Sequence, residues 1–352
     1  MKSKMKSKKH LALGVPLSDA ETIRAYLLNR KLLDPAYRIT KNKTTVYFPV
    51  QQIPKDLERY TKTYRYFEEH QQKPTSYKQL LTLPAHLQEK LPTSYDIVGN
   101  IILMKIPEEL QAFEQQIGAA LLQSHKQVET VFSSEPVRGE FRLRNLHRIA
   151  GKQQTITLQK EYGLSFLVDV EKTYFSPRLA SERRRIAGLV QPGEIVVDLF
   201  AGVAPFSCMI AQYAQPKMVY AVDKNRDAVE LARRNIVLNK LADRVTVLHA
   251  DAHDIPAMFL KTNQYADRIV MNLPFESHRF FPVALALLKK QGVIHMYTVA
   301  DEENLQTKIE EVHQHAHQAQ FLCTEINIRK IKTYATREFY IALDITATKM
   351  PT

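Results

Sequence analysis

Apolar positions in the second half of this chain fall into short continuous runs separated by longer amphipathic stretches. Runs at 195–200, 218–223, 245–250, 268–271 and 292–298 predict buried strands. The intervening patterns at 205–213, 226–239, 278–289 and 301–319 have helical spacing, and two further strands follow near the end. Strand and helix alternating in this way predict a doubly wound, mostly parallel α/β sheet. The first half is more mixed. Ala20 to Leu28 has helical spacing, Ser18 and Glu21 are spaced as a capping box, and Asp34-Pro35 closes the helix. A strand is expected at 44–50, helical patterns at 80–91 and 108–122, and a strand–turn–strand at 95–104 around Gly99-Asn100. Two β-rich runs follow, at 155–158 and 164–170.

The polar stretch around 68–76 reads as a linker. The expected organisation is a small α/β domain at 1–69, a linker at 70–76, a middle α+β domain at 77–168 and a Rossmann-like domain at 169–352. No internal repeat is evident.

Composition narrows the class. The chain has 352 residues, 45% hydrophobic and 24% charged, as in ordinary soluble proteins. It has no apolar stretch of membrane-spanning length and no apolar signal core, so a cytoplasmic protein is expected. The two cysteines, Cys208 and Cys323, are far apart, which argues for a reducing compartment and against a disulfide framework. A net charge of +12 points to a polyanionic partner, nucleic acid above all. Lys2, Lys4, Lys6, Lys8 and Lys9 concentrate part of that charge in a tail expected to be disordered. His313 and His317 share a helix face, but no third ligand from another element is suggested, so no metal is expected.

The chemistry lies at strand ends. The segment Asp198-Leu199-Phe200-Ala201-Gly202-Val203-Ala204-Pro205-Phe206 is strand, tight turn, helix. It has one glycine, whereas a pyrophosphate-binding turn needs several so that the backbone can touch the phosphates. The corner suits a nucleoside ligand without phosphates, and S-adenosylmethionine is preferred over a nicotinamide dinucleotide. Asp223 ends the next strand, 21 residues after Gly202, where an acid can accept hydrogen bonds from both ribose hydroxyls. Asp251 follows the third strand and can meet an adenine amino group. Asn272-Leu273-Pro274-Phe275 follows the fourth, beside the methyl donor. Leu273 stands where methyltransferases of exocyclic amines carry a first proline, which disfavours amine chemistry. Pyrimidine-carbon chemistry needs a cysteine nucleophile, and neither cysteine lies in a strand-end turn.

Gly139-Glu140-Phe141-Arg142-Leu143-Arg144, Tyr174-Phe175-Ser176-Pro177-Arg178-Leu179-Ala180-Ser181-Glu182-Arg183, the Asp198 to Val203 turn, Asn272-Leu273-Pro274 and Tyr334-Ala335-Thr336-Arg337-Glu338 together resemble the archaeal and eukaryotic tRNA (guanine-N1)-methyltransferase family, which acts at tRNA position 37. The resemblance extends to Asn29-Arg30-Lys31-Leu32-Leu33 and Tyr47-Phe48-Pro49-Val50, and so covers nearly the whole chain. It implies three catalytic residues: Glu182 as the base that removes the N1 proton, Arg142 stabilising charge on O6, and Asn272 orienting the flipped base. The expected cofactor contacts are Tyr174, Arg183, Phe200, Gly202, Val203, Asp223, Lys224, Asp251, Ala252, Asn272 and Pro274. The expected RNA contacts are Arg144, Arg178, Lys330, Lys332 and Arg337. The resemblance further implies a monomer whose N-terminal domain touches the outer corner of the tRNA while the anticodon loop enters the active site. Ala204 departs from the family, which commonly has a second glycine there. Alternatives are added activity on a wyosine precursor at the same position, an RNA amine methyltransferase, and a non-catalytic tRNA-binding protein.

Overall fold

The computed structural model describes residues 7–69, 76–137 and 139–351. They form two compact units, Met1–Leu80 and Leu81–Thr352. Most of the expected linker, and Lys2, Lys4 and Lys6, lie outside the described residues.

In the first unit, strands β1 (Ser7–Pro16), β2 (Thr40–Lys41), β3 (Thr45–Pro49) and β4 (Thr61–Glu68) make an antiparallel sheet in the order β2-β3-β1-β4. Helix α1 (Ala20–Asn29) follows β1. The sheet's inward positions, Leu13, Val15, Val46 and Phe48, share a core with Ile23 and Leu27 of α1. Lys8 and Lys9 belong to β1, where they pair with Phe67 and Tyr66, so the ordered chain starts earlier than the charge run suggests. The Ser18 capping box does not form. The helix N-cap is Asp19, with no side-chain cap hydrogen bond, and the Ser18 hydroxyl instead donates to the Asp19 carboxylate at 2.8 Å.

The second unit opens with a single-turn helix α2 (Ala85–Gln88), much shorter than the helical pattern at 80–91. Pro84 explains the difference, because it holds Leu83 out of the helical region. A four-stranded sheet follows in the order β5 (Asp96–Val98), β6 (Ile101–Met104), β7 (Thr130–Ser134), β8 (Leu146–Gly151). Helix α3 (Glu114–Ser124) packs against β7 and β8 and is preceded by a 3-10 turn at Glu108–Phe113. Strands β9 (Ile156–Glu161) and β10 (Leu164–Asp169) form a separate hairpin.

The remaining elements are α4 (Ala180–Leu189), β11 (Ile195–Asp198), α5 (Pro205–Tyr213), β12 (Met218–Asp223), α6 (Arg226–Leu238), β13 (Val245–His249), α7 (Ile255–Lys261), β14 (Ala266–Met271), α8 (Phe281–Leu287), β15 (Leu288–Ala300), α9 (Glu302–Gln318), β16 (Phe321–Ala335) and β17 (Glu338–Lys349). Their sheet runs β13-β12-β11-β14-β15-β17-β16, parallel except for β17. Successive residues of each central strand face opposite layers. Val196, Val219 and Val270 pack toward Phe206 and Ile210, and Val197, Val222 and Ile269 toward Phe281 and Leu285. Burial on both faces is why these strands read as unbroken apolar runs. The α8 helix stops at Leu287 rather than 289, because Leu288 is already paired with Ala266 on β14.

Asn235 of α6 and Asn239, which follows its last residue, tie the hairpin to this sheet. Asn235 accepts from the Leu167 amide at 2.7 Å and donates to the Leu167 and Val203 carbonyls. Asn239 makes the same two-way contact with Ser165. The backbone edge of β10 is thereby satisfied by side chains. A buried ion pair adds a second tie. Glu161 of β9 and Arg183 of α4 are each 2% exposed at the side chain and share a fork of hydrogen bonds at 2.7–3.0 Å. The Arg183 guanidinium also donates to Ser176 O and lies 5.0 Å from the Phe175 ring. Removing one partner of such a pair leaves an uncompensated buried charge. Glu161→Ala is therefore expected to cost about 3–5 kcal/mol, measured as chemical denaturation. A loss below about 1 kcal/mol would show that the pair does not pin the hairpin.

Candidate active site

The chain leaves β11 toward β12 on one side and later returns to β14 on the other. At such a switch the loops at the strand carboxyl ends diverge and open a crevice. A cavity of about 560 Å³ occupies this crevice.

Its floor is the turn after β11. Gly202 and Ala204 both take left-handed backbone, at φ 56° and 64°. Ala204 thus follows the path a second glycine would, at a steric cost of about 1–2 kcal/mol. A Cβ at Gly202 would meet only Tyr174 O, at 3.6 Å, so conformation rather than space calls for glycine there. Asp223 accepts from the Gly202 amide at 2.6 Å and from the Asn225 amide at 2.8 Å, which fixes both carboxylate oxygens in orientation. Burial pushes its carboxyl up, and these amides pull it partly back. Asp251 accepts from the His253 amide at 3.0 Å and pairs with Lys224 at 2.9 Å, and these two hold its carboxyl well below the usual range. Lys224 also binds Glu140 at 2.7 Å, joining the 139–144 loop to the cavity rim.

Of the residues anticipated from the sequence, Arg142, Tyr174, Arg183, Phe200, Gly202, Asp223, Lys224, Asp251, Ala252 and Asn272 line the cavity. Val203, Pro274 and Glu182 do not. Val203 is fully buried behind the turn, with its carbonyl taken by Asn235. The Pro274 carbonyl accepts from the Val299 amide. Glu182 is 3% exposed and lies one layer behind the wall, where Arg183 rather than Glu182 faces the cavity from the first turn of α4. Its carboxylate accepts from both arms of Arg185, at 2.6 and 2.8 Å, and from the Tyr297 hydroxyl at 2.8 Å. Tyr297 lies 5.8 Å from Tyr340, ring to ring, and the Tyr340 hydroxyl bonds Asn272 Oδ1. Two tyrosines therefore connect Glu182 to the cavity wall.

Arg142 lies in a turn, outside any strand. It closes a turn in which its amide donates to Gly139 O, with φ 53°. Its guanidinium lies 4.3 Å from the Tyr174 ring and 5.3 Å from Phe275. Its Nε is buried and finds no hydrogen-bond partner among the described residues. Nearby, Asp96 accepts from Arg178 at 2.6 Å and Arg144 at 3.3 Å. Burial and the neighbouring Arg178, Arg142 and Arg144 depress the Lys332 ammonium. Four cations thus gather around one carboxylate. Lys330 and Arg337 stand apart from this group: Lys330 pairs with Glu302 at 3.4 Å, and Arg337 sits in the exposed β16–β17 turn. Tyr297, Tyr340, Arg185 and Asp344 were missed from the sequence, since each sits in an ordinary strand or helix pattern with no motif around it.

The model of the TRM5/TYW2 methyltransferase domain matches residues 157–324. The TYW2 N-terminal domain matches 77–155 and the tRNA methyltransferase 5 N-terminal domain 12–58. A tRNA (guanine(37)-N(1))-methyltransferase Trm5b of Pyrococcus abyssi is 37% identical over 95% of this chain and 98% of its own length. The chain belongs to the Trm5 family. The solved complex of aTrm5 with tRNALeu superposes on it with a TM-score of 0.76 at 31% identity, covering 96% of this chain and 99% of that one. Methanocaldococcus jannaschii TYW2 in complex with AdoMet gives a TM-score of 0.56 at 27% identity, covering 73% of this chain and all of the other. Among the described residues no helix is long and apolar enough to cross a membrane, and no cluster of three potential metal ligands occurs.

Within this Trm5 site Ala204 holds left-handed backbone that a β-branched residue cannot adopt easily. Ala204→Val places a β-branched residue in left-handed backbone and is expected to cost about 2 kcal/mol or more. Ala204→Gly should stay within about 1 kcal/mol of the parent, because strain relief opposes the larger entropy of unfolded glycine. Thermal unfolding of both variants checks this. Equal losses would show that backbone conformation does not limit the turn.

Proposed function

We propose that this chain transfers a methyl group from S-adenosylmethionine to N1 of guanosine 37 in tRNA. The observation that carries the chemistry is Arg142, a guanidinium on the cavity wall, stacked on Tyr174 and Phe275, with a buried donor that has no partner among the described residues. Guanine N1 holds a proton at neutral pH, and its removal moves negative charge onto O6. Arg142 is the fixed donor for that charge.

Asp223, Asp251 and the Gly202 turn are the residues that hold the nucleoside part of the cofactor, and their place on one 560 Å³ cavity supports this. Bound S-adenosylmethionine supplies an electrophilic methyl on a sulfonium that departs as a neutral thioether. Glu182 takes the N1 proton as the N1 lone pair forms the new C–N bond. To do so its carboxylate turns one oxygen toward Asn272 while the other stays on Arg185. The link from Glu182 through Tyr297 and Tyr340 to Asn272 supports that short reach. Phe275 and Tyr334, 43% and 47% exposed and 5.4 Å apart, offer a platform for the everted base. Arg144, Arg178 and Lys332 contact its flanking phosphates.

The first unit contacts the outer corner of the tRNA in this reading. Its β4 strand exposes Tyr64, Arg65 and Tyr66, a combination suited to stacking and phosphate contact. The enzyme acts as a monomer, with segments 1–69, 77–168 and 169–352 as its three domains.

Incubation with unmodified tRNA and S-adenosylmethionine is expected to give 1-methylguanosine at position 37, read by nucleoside mass spectrometry. Methylation elsewhere on guanine or on adenine would replace this reading with an amine methyltransferase. Asp223→Ala is expected to weaken S-adenosylmethionine binding about tenfold or more by calorimetry, and unchanged binding would remove Asp223 from the cofactor site.

A further inference from the structure

Behind Glu182 runs a continuous chain of buried and half-buried charged groups. Arg185 donates to Glu182 from Nε and Nη2, and to Asp344 of β17 from Nη1 at 2.6 Å and from the shared Nη2 at 3.2 Å. Asp344 in turn contacts His295 Nδ1 of β15 at 2.6 Å. His295 Nε2 meets an arm of Arg268 on β14 at 2.8 Å, and Arg268 forks onto Glu194 at 2.8 and 3.0 Å. Arginine can only donate, so His295 Nε2 accepts and its proton sits on Nδ1, donating to Asp344. Burial drives His295 further toward the neutral form. The string is then Glu194 and Arg268, neutral His295, Asp344 and Arg185, and finally Glu182. Every cation is matched except that Glu182 leaves one negative charge over. A proton arriving on Glu182 makes the string neutral.

We infer that Asp344 is a positioning residue that sets the proton affinity of Glu182 by sharing Arg185 with it. The inference rests on the reading of Glu182 as the base. An arginine devoted to Glu182 alone would hold it ionised and make it a poor proton acceptor. Asp344 draws half of the guanidinium to itself, and His295 holds Asp344 in place for this. The groups facing Glu182 are Arg185 from its own helix, Tyr297 from β15, and Tyr340 with Asp344 from β17. Of the β-strand groups only Asp344 carries a charge at neutral pH, so it alone can offset Arg185.

The test is the pH dependence of single-turnover methyl transfer to tRNA at saturating S-adenosylmethionine. The rate should rise with pH as Glu182 loses its proton and then level off. Asp344→Asn presents an NH2 to Arg185 and frees the guanidinium for Glu182. Its rising limb is expected to move to lower pH by on the order of one unit, and its plateau rate to fall roughly threefold, as for a weaker base. Arg185→Gln removes the cation and should move the limb the opposite way, to higher pH. S-adenosylmethionine affinity by calorimetry should stay within about twofold of the parent in both. Opposite shifts support the inference. A uniform loss of rate at every pH, with neither limb displaced, overturns it and leaves Asp344 a merely structural residue. Should Asp344→Asn not fold, the sign of the Arg185→Gln shift and the profile of His295→Gln, expected to move as Asp344→Asn does, still decide. Glu182→Gln separates the two levels. If it keeps the parental limb, the base reading itself fails. If it abolishes the limb while the other variants leave it unmoved, only the role of Asp344 fails.

Discussion

The end of β11 is where the sheet reverses its winding, and the chemistry of the molecule hangs on that point. The strand closes on Asp198, whose side chain is fully buried, with one oxygen accepting from Ser207 at 2.8 Å and the other without a partner among the described residues. Burial pushes its carboxyl up to about 7. A group so placed would be costly anywhere else. Here it fixes the start of a turn whose amide at Gly202 is held by Asp223 from the next strand. The crevice is therefore not a gap left by packing. Its walls are cross-bonded between neighbouring strand ends, which positions the ligand-binding groups before any ligand arrives.

A second constraint lies behind the first. Three arginines of the catalytic unit, Arg183, Arg185 and Arg268, are largely withdrawn from solvent, and each is forked onto a carboxylate. Buried pairs of this kind add little net stability over apolar packing but punish any rearrangement that separates them. They specify which elements must meet: β9 with α4, α4 with β17, and β14 with the loop before β11. The hairpin of β9 and β10 would otherwise be an isolated two-stranded ribbon, marginal by itself. Its fixed place matters because Arg183, which it anchors, lines the cavity.

The fold was legible where periodicity carried it. Strands β11 to β14 and helices α5, α6 and α9 fall within a residue or two of expectation, because strands buried on both faces have no alternation to confuse with a helix, while β15 begins four residues earlier than its apolar run. Helix ends were less legible. A Ser-x-x-Glu spacing at 18–21 promised a cap that Ser18 spends on Asp19, and Pro84 broke a helical pattern that composition alone favoured. The site divided along the same line. Most residues expected at strand ends do line the cavity, because topology fixes what a strand end faces, although Val203 and Pro274 do not. Helix α4 was harder, since neighbouring residues point some 100° apart. Glu182 and Arg183 were both expected at the cavity, and only Arg183 reaches it. Asp344 and His295 had no signal beyond a charged residue in an otherwise apolar strand. That is itself a usable sign, for an acid facing inward requires a cation somewhere.

Arg142 joins these threads. It carries two costs at one residue: left-handed backbone at φ 53°, and a buried Nε with no partner among the described residues. Either would amount to about 1–3 kcal/mol, and neither is offset by the ring contacts with Tyr174 and Phe275 alone. A fold keeps such strain where an incoming group relieves it. An acceptor that gains negative charge during the reaction would satisfy the orphan donor most strongly at the moment of transfer. In the proposed reaction the arginine would bind the transition state better than the ground state, which is the condition for catalysis rather than mere affinity. On the opposite side, the buried string ending at Glu182 lacks one positive charge and becomes neutral on gaining a proton. In the proposed reaction the two sides would be complementary: Glu182 would accept the proton that guanine loses, and Arg142 would meet the charge left behind.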